Sequence, residues 1–519
     1  MSDGARPRGW YRQSRLVSDT TLETPHSLRP EERREPRSAD LGPRGFIARH
    51  VWWLVALGIL IASAVLLRWA NTRPGYDPYG WLDWGYQTLR GTLNLGGAPS
   101  WKPFTYIFTV PYSLLGHWAL YVWMETSVAI SLAGAIFAGR IAYRLTAAEG
   151  GPGARRYPAI VAAIVAGAAV LGIQSYFHYI LSVQSDSMLV TFCLAAIDCH
   201  LGGRLRWSWW LGVVAGLGRP EVWPFLVVYG IWLLIKRPAM RWMVISGGIV
   251  TLLLWFGVPT ITNGKPDIAG QLALKSPREL HSNKVVGTID RFTGLDYVTL
   301  EIGALLVVVL AVLRRNRTVL ALAAMAAGWV LVEIAFVLHG FPGVPRYLFE
   351  PAGVVAVLAG VTVGWLLLDA SRFDARLPSW AGIPVAVVLV AVAIPHAITT
   401  ARVEHGDIHH ERARTAEIDK LGAYIEALGG AKRVLSCGHP VLNVEYVSVM
   451  GWYLHLNTGD IGYRPAFELK QAHPIMLFAS LPNGWGLTPV HQHGNTSCSS
   501  LKSLYVPTAR HPEGILVPK

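Results

Sequence analysis

Apolar runs of bilayer length recur along this chain from about residue 51 to about residue 399, and no soluble fold could bury them all. Backbone N–H and C=O groups find no water in hydrocarbon, so a segment that crosses it must be a helix or part of a closed barrel. The runs fall at about 51–69, 118–142, 158–177, 186–201, 207–218, 222–235, 242–260, 298–313, 318–338, 350–368 and 381–398. They predict a polytopic α-helical membrane protein with about 11 transmembrane helices. A composition 52% hydrophobic and only 15% charged agrees with that class.

The net charge of +13 does not imply a nucleic-acid partner, because its Lys and Arg lie in short clusters between runs. Arg44 and Arg49 precede the first run. Arg155 with Arg156, Arg204 with Arg206, Lys236 with Arg237 and Arg241, Arg314 with Arg315 and Arg317, and Arg372 with Arg376 mark every second turn. Positive residues stay inside, so these turns are expected to be cytoplasmic and the protein to sit in the plasma (inner) membrane. An odd number of crossings from a cytoplasmic N-terminus then leaves the C-terminus extracytoplasmic.

Three pieces are expected: a disordered cytoplasmic tail at 1–48, a transmembrane catalytic module at 49–399, and an extracytoplasmic α/β domain at 400–519. In the last, Ile418, Leu421, Ile425 and Leu428 repeat at helical spacing. Arg433 to Gly438, Pro474 to Ser480 and Leu504 to Pro507 read as strands. Cys437 and Cys498 are this domain's two cysteines, and an extracytoplasmic location permits a disulfide between them. Cys193 and Cys199 lie in an apolar run.

The residues able to do chemistry concentrate at the outer ends of the runs. Asp77 and Asp83 stand among aromatics in Tyr76–Gly91, just beyond the first run. A carboxylate partly desolvated there can gain the proton affinity a general base needs. Lys102 follows in the same outer segment, and Asp186 opens a later run. Arg219 and Glu221 flank Pro220 between two runs too short to cross comfortably. His339, Arg346 and Tyr347 lie in the outer turn His339–Pro351, and a guanidinium such as that of Arg346 can grip a phosphate through two parallel hydrogen bonds.

Taken together, the acidic residue Asp77 after the first span, the aromatic helix closed by Gly91, the apolar segment opened by Pro103, and the Arg219-Pro220-Glu221 and Arg346-Tyr347 turns resemble the GT-C glycosyltransferases. The resemblance covers about residues 50–370. It implies a GT-C-like fold and an inverting transfer of a sugar from a polyprenyl-phosphate donor to a hydroxyl of a glycan, lipid or protein acceptor on the extracytoplasmic face. Asp77 is then the catalytic base, with Asp83 the alternative, and Arg346 the phosphate ligand. Asp83, Lys102, Asp186, Arg219, Glu221, His339, Arg346 and Tyr347 are expected to bind substrate. The donor sugar stays open, as does a divalent cation. No metal-ligand set is identified, since His405, His409, His410, His491 and His493 lack partners at ligand spacing. The absence of a P-loop or a strand followed by GxGxxG argues against a nucleotide cofactor. A transporter or flippase of a lipid-linked saccharide and a noncatalytic sensor are the alternatives. The first would call for internal pseudosymmetry, which is not evident in the sequence.

Overall fold

The computed structural model describes residues 43–501, except 98, 154, 275, 277, 282, 369–377, 472, 482–483, 493–495 and 500, with side chains from residue 50 onward. The described residues fall into two units divided between residues 55 and 56, and the first is the opening of helix α1 (Pro43–Ala70). The expected tail at 1–48, the basic pair Arg372 and Arg376, His493 and the strand at Leu504–Pro507 fall wholly or mostly outside the described residues.

Each of the eleven apolar runs is mostly helical, and the one at 158–177 is interrupted at 172–175. After α1 come two outer helices, α2 (Tyr76–Arg90) and α3 (Pro103–Tyr112). Gly91 ends α2 in the left-handed conformation at φ 69°, and Pro103 opens α3, where its missing N–H costs nothing. Then follow α4 (Trp118–Gly150), α5 (Tyr157–Leu171), short α6 (Tyr176–Leu181), α7 (Ser185–Leu201), α8 (Leu205–Gly218) and α9 (Trp223–Lys236). Helix α10 (Arg241–Leu252) passes through a π-helical turn, Leu253–Gly257, into α11 (Val258–Asn263). Beyond α12 (Ile268–Leu274), α13 (Lys284–Thr293) meets α14 (Val298–Arg314) at a 96° bend. Helices α15 (Arg317–Leu338), α16 (Phe349–Leu366) and α17 (Gly382–Ala427) complete the apolar part.

Six spans, His50–Ala70, Trp118–Gly150, Pro238–Asn263, Arg317–Leu338, Pro345–Leu366 and Gly382–Ala427, are long and apolar enough to cross a bilayer, and the bent α13–α14 pair makes up to seven. They make this an integral membrane protein. The expected eleven crossings exceed that number, because α5, α7, α8 and α9 are short or carry charge. Helix α16 is buried throughout, and its small residues let neighbours close on it. At Gly360 a Cβ would stand 2.7 Å from the carbonyl oxygen of Ala162 on α5.

Helix α17 runs unbroken past residue 400, so the change in composition there is not the end of an element. Its outer part buries Ile418, Leu421 and Ile425, with Leu428 just beyond, as their spacing predicts. The segment expected as a strand at Arg433–Gly438 is instead helix α18 (Gly430–Cys437), because Val434 and Cys437, one helical turn apart, are its buried residues. The sheet holds β1 (His439–Val441), β2 (Ile475–Leu481) and β3 (Gly484–Val490) in that order, β1 parallel and β3 antiparallel to β2. Cys437 and Cys498 form a disulfide.

These outer elements hold α2 in place. Asn457 donates to Gln87 Oε1 at 3.1 Å, Tyr86 stacks on His455 at 4.5 Å, and helix α19 (Val447–Leu454) lies against the buried face of α2. Ahead of α2, Arg73 pairs with Asp419 at 3.0 Å, and its backbone N–H donates to Thr415 at 2.7 Å. The chain is thus pinned on both sides of the helix that presents Asp77.

Candidate functional site

Five separate stretches of chain deliver charge to one place. Asp77 comes from the first turn of α2 and Lys102 from the residue before α3. Asp186 stands in the first turn of α7, and Arg219 and Glu221 lie in the break between α8 and α9. Arg346 and Tyr347 come from the 3-10 turn Pro345–Leu348 that leads into α16.

Asp186 is the centre. Its Oδ1 accepts from Arg219 and lies 4.0 Å from Lys102 Nζ, while Arg346 Nε lies 3.9 Å from its Oδ2. Arg346 reaches outward as well, with Nη2 3.6 Å from Asp77 Oδ2. Arg219 is shared further, at 3.8 Å from Glu221 and 3.4 Å from Glu350, and it donates to the Arg346 carbonyl at 3.2 Å. Its guanidinium lies over the Tyr347 ring at 4.1 Å, and that of Arg346 lies 5.6 Å from the Tyr179 ring centre.

Exposure divides the three cations. The Arg219 side chain is 3% exposed, against 12% for Arg346, 15% for Lys102 and 22% for Asp77. Arg219 is therefore a buried brace between α7, the α8–α9 break and the turn before α16. Arg346, Lys102 and Asp77 are the more exposed groups of the cluster. Desolvation draws the Lys102 ammonium below its ordinary pKa, and the neighbouring Asp186 carboxylate opposes that shift.

A cavity of about 300 Å³ adjoins the cluster and is lined by Lys102, Arg219, Glu221 and Tyr347 together with Trp101, Trp223, Trp255, Phe256, Phe336 and Phe341. The π-helical turn of α10–α11 supplies Trp255 and Phe256. Trp101 is fixed by donating to the Leu254 carbonyl at 3.1 Å, and Trp255 by donating to that of Gly216 at 2.9 Å. One wall is thus charged and the rest mainly aromatic and apolar, apart from Asp267, which suits an amphiphile with a charged head.

Seven of the nine expected site residues meet here: Asp77, Lys102, Asp186, Arg219, Glu221, Arg346 and Tyr347. Asp83 does not. It is buried in α2, with its Oδ2 2.6 Å from where a Cβ on Gly451 of α19 would stand and no hydrogen-bond partner on that oxygen. Burial pushes its carboxyl well above the ordinary carboxylate range. His339 also stays out, being exposed and stacked at 6.0 Å on Phe341.

Two carboxylates beyond the nine join the cluster. Glu350, four residues after Arg346, grips Arg219, and Glu333 of α15 is buried beside the same group of charges. The hints in the sequence are the places of Glu333 within an apolar run and of Glu350 at the start of another. Among the described residues no group of three His, Cys, Asp or Glu side chains is placed to hold a metal ion.

No family model matches this chain, and no curated protein matches it. Among solved structures it is similar to ArnT from Cupriavidus metallidurans in the apo state, with 16% identity and a TM-score of 0.46 over 84% of this chain and 93% of that one. It is also similar to ArnT from Cupriavidus metallidurans bound to undecaprenyl phosphate, again at 16% and 0.46, over 90% and 97%. A likeness this distant leaves the chemistry to be read from the side chains themselves.

Proposed function

We propose that this chain is a GT-C-type membrane glycosyltransferase that moves a sugar, with inversion, from a polyprenyl-phosphate donor to an acceptor hydroxyl on the extracytoplasmic face. The observation that carries this reading is the convergence of Asp77 and Arg346, 269 residues apart in sequence, to 3.6 Å at the reachable edge of one charged cluster. The donor's first isoprene units would lie in the aromatic cavity, and its phosphate would take Arg346 and Lys102. Arg346 can offer a phosphate two parallel N–H groups in place of its resting partners.

Asp77 would take the acceptor proton as the oxygen attacks the anomeric carbon, and the phosphate would leave from the opposite side. In-line displacement sets the base and the leaving phosphate on opposite sides of the sugar, so the ring must come between Asp77 and Arg346. The resting ion pair therefore has to open when donor binds. The phosphate turns Arg346 away and leaves the Asp77 carboxylate free to act as a base. Arg219, Glu221 and Glu350 hold the turn that presents Arg346 and do not touch the reacting atoms.

The finer topology belongs to the same reading. Eleven crossings are supported by helix ends that alternate between basic turns and the side carrying the cluster, as at Arg204, Arg237 and Arg315. A cytoplasmic N-terminus and an extracytoplasmic C-terminus go with it, and the disulfide Cys437–Cys498 fits an oxidising compartment. Purified protein incubated with radiolabelled polyprenyl-phosphate sugars and candidate acceptors tests the reaction. Asp77→Asn is expected to lower turnover by about a hundred-fold to ten-thousand-fold while donor still binds. Undiminished transfer by that variant overturns the assignment of the base, and saccharide export without transfer overturns the enzyme.

A further inference from the structure

A second cavity, of about 500 Å³, lies at the edge of the outer sheet, away from the residues of the charged cluster. It opens where the chain enters β1 and β2, between Gly438–Pro440 on one side and His473–Pro474 on the other, and Asp460 and Gln492 complete its polar wall. Gly438 shapes the notch: its φ is 147°, and a Cβ there would stand 2.5 Å from the Pro474 carbonyl oxygen. The neighbouring disulfide from Cys437 fixes that side.

The lining is mixed, with Ser436, His439, Asp460, His473 and Gln492 set among Leu and Pro, and it has no Lys or Arg among its residues. The rings of His439 and His473 meet edge to face at 5.5 Å, and Glu468 lies 4.0 Å from His473 Nε2. Gln492 donates to the carbonyls of Val490 and Ile475 at 3.2 and 3.4 Å, which fixes its amide at the sheet edge. A carboxylate, an amide and two imidazoles over Leu and Pro surfaces suit hydroxyl groups and C–H faces. The missing cation disfavours a phosphate, and the lack of a metal-ligand group among the described residues disfavours an ion. Burial also lowers the pKa of His439, which keeps its ring neutral and able both to donate and to accept.

We propose that this cavity is a binding site for a neutral oligosaccharide, the part of an acceptor glycan remote from the reacting hydroxyl. The acceptor role rests on the transferase reading above, whereas the saccharide site itself does not. Its geometry also links it to α2. Leu456 lines the cavity, and the next residue, Asn457, donates to Gln87 near the end of the helix whose first turn carries Asp77.

Calorimetric titration of the full-length protein in lipid nanodiscs with maltotetraose, α-1,6-mannotetraose and α-1,5-arabinotetraose tests the proposal without any donor present. At least one is expected to bind, and Asp460→Ala and His473→Ala, both at exposed side chains, are expected to weaken it about tenfold or more. Asp77→Asn is expected to leave that affinity unchanged. If none of the three binds, or if both cavity variants bind as the wild type does, the site is overturned. Cavity-dependent binding with no transfer to any acceptor keeps the site and removes the transferase, while transfer with a silent cavity does the reverse.

Discussion

Helix α7 carries two buried carboxylates, Asp186 near the outer end and Asp198 near the other, and each is met by three cations. Around Asp198 stand Arg140 at 3.0 Å, Arg144 at 2.9 Å and Arg204 at 3.1 Å, with side chains 25, 35 and 45% exposed. Around Asp186 stand Lys102, Arg219 and Arg346, all more deeply set, two of them drawn also to Asp77, Glu221 or Glu350, with an aromatic cavity alongside. Equal inventories of charge thus have different uses. At Asp198 the arginines can rehydrate, and the carboxylate ties α7 to α4 and to the turn before α8. At Asp186 the charges are sheltered and held in shared pairs, which the proposed donor phosphate would rearrange.

Swapping each carboxylate for its amide is the sharpest way to break this comparison. Asp186→Asn leaves three sheltered cations facing one another, and removing one partner of such a buried group costs about 3–5 kcal/mol. Transfer is expected to fall by about a hundredfold or more, since misplacing Arg346 by an ångström is enough for that. Asp198→Asn frees arginines that water can reach, so its cost is expected to be about 1 kcal/mol with transfer close to wild type. Thermal unfolding in detergent, paired with the radiolabel assay, separates the two. Equal losses of transfer would erase the distinction.

A smaller effect is expected from keeping the charge and changing its shape. Arg346→Lys retains a cation but loses the fork that matches a phosphate, a loss of about 1.5–3 kcal/mol for hydrogen bonds to a charged group. The KM for donor should rise roughly tenfold to a hundredfold by the same measure. The equivalent change at the other end, Arg140→Lys, should leave KM alone. A donor titration of both variants decides it, and an unchanged KM in Arg346→Lys would remove that residue from the phosphate site.

How much of this was legible in the sequence depends on the range of the interaction. Helices came through because bilayer solvation acts on every residue of a run, and local stops such as Gly91 and Pro103 fall where their backbone preferences put them. Asp77 and Arg346 stood out because charge at a span end is costly enough to need a reason. Glu350 did not, since its importance comes from Arg219, which is distant in sequence, and Glu333 is visible there only as a carboxylate within a span, not as a neighbour of those charges. The strand expected at Arg433–Gly438 failed for a related reason. Val434-Leu435 fits either periodicity, and the buried pair Val434 and Cys437 chose the helix. The composition change near residue 400 marks a change of surroundings for α17 and left no mark on its backbone.

Asp83 adds a buried carboxylate of a different kind and the smallest expected effect, because no cation meets it among the described ion pairs. Burial raises its folded pKa above the unfolded value of about 3.9, so the folded chain holds a proton that the unfolded chain releases. The stability tied to that proton is intact below the unfolded pKa and is lost as pH rises from there toward the folded one. The slope is at most about 1.4 kcal/mol per pH unit. Asp83→Asn presents a neutral group of the same shape to Gly451, so at pH 7 it should melt no lower than wild type, and its melting temperature should vary less between pH 4 and pH 7. Transfer should persist, in contrast to Asp77→Asn six residues earlier on the same helix. A variant at Asp83 that folds but no longer transfers would move the base from the first turn of α2 to its buried face.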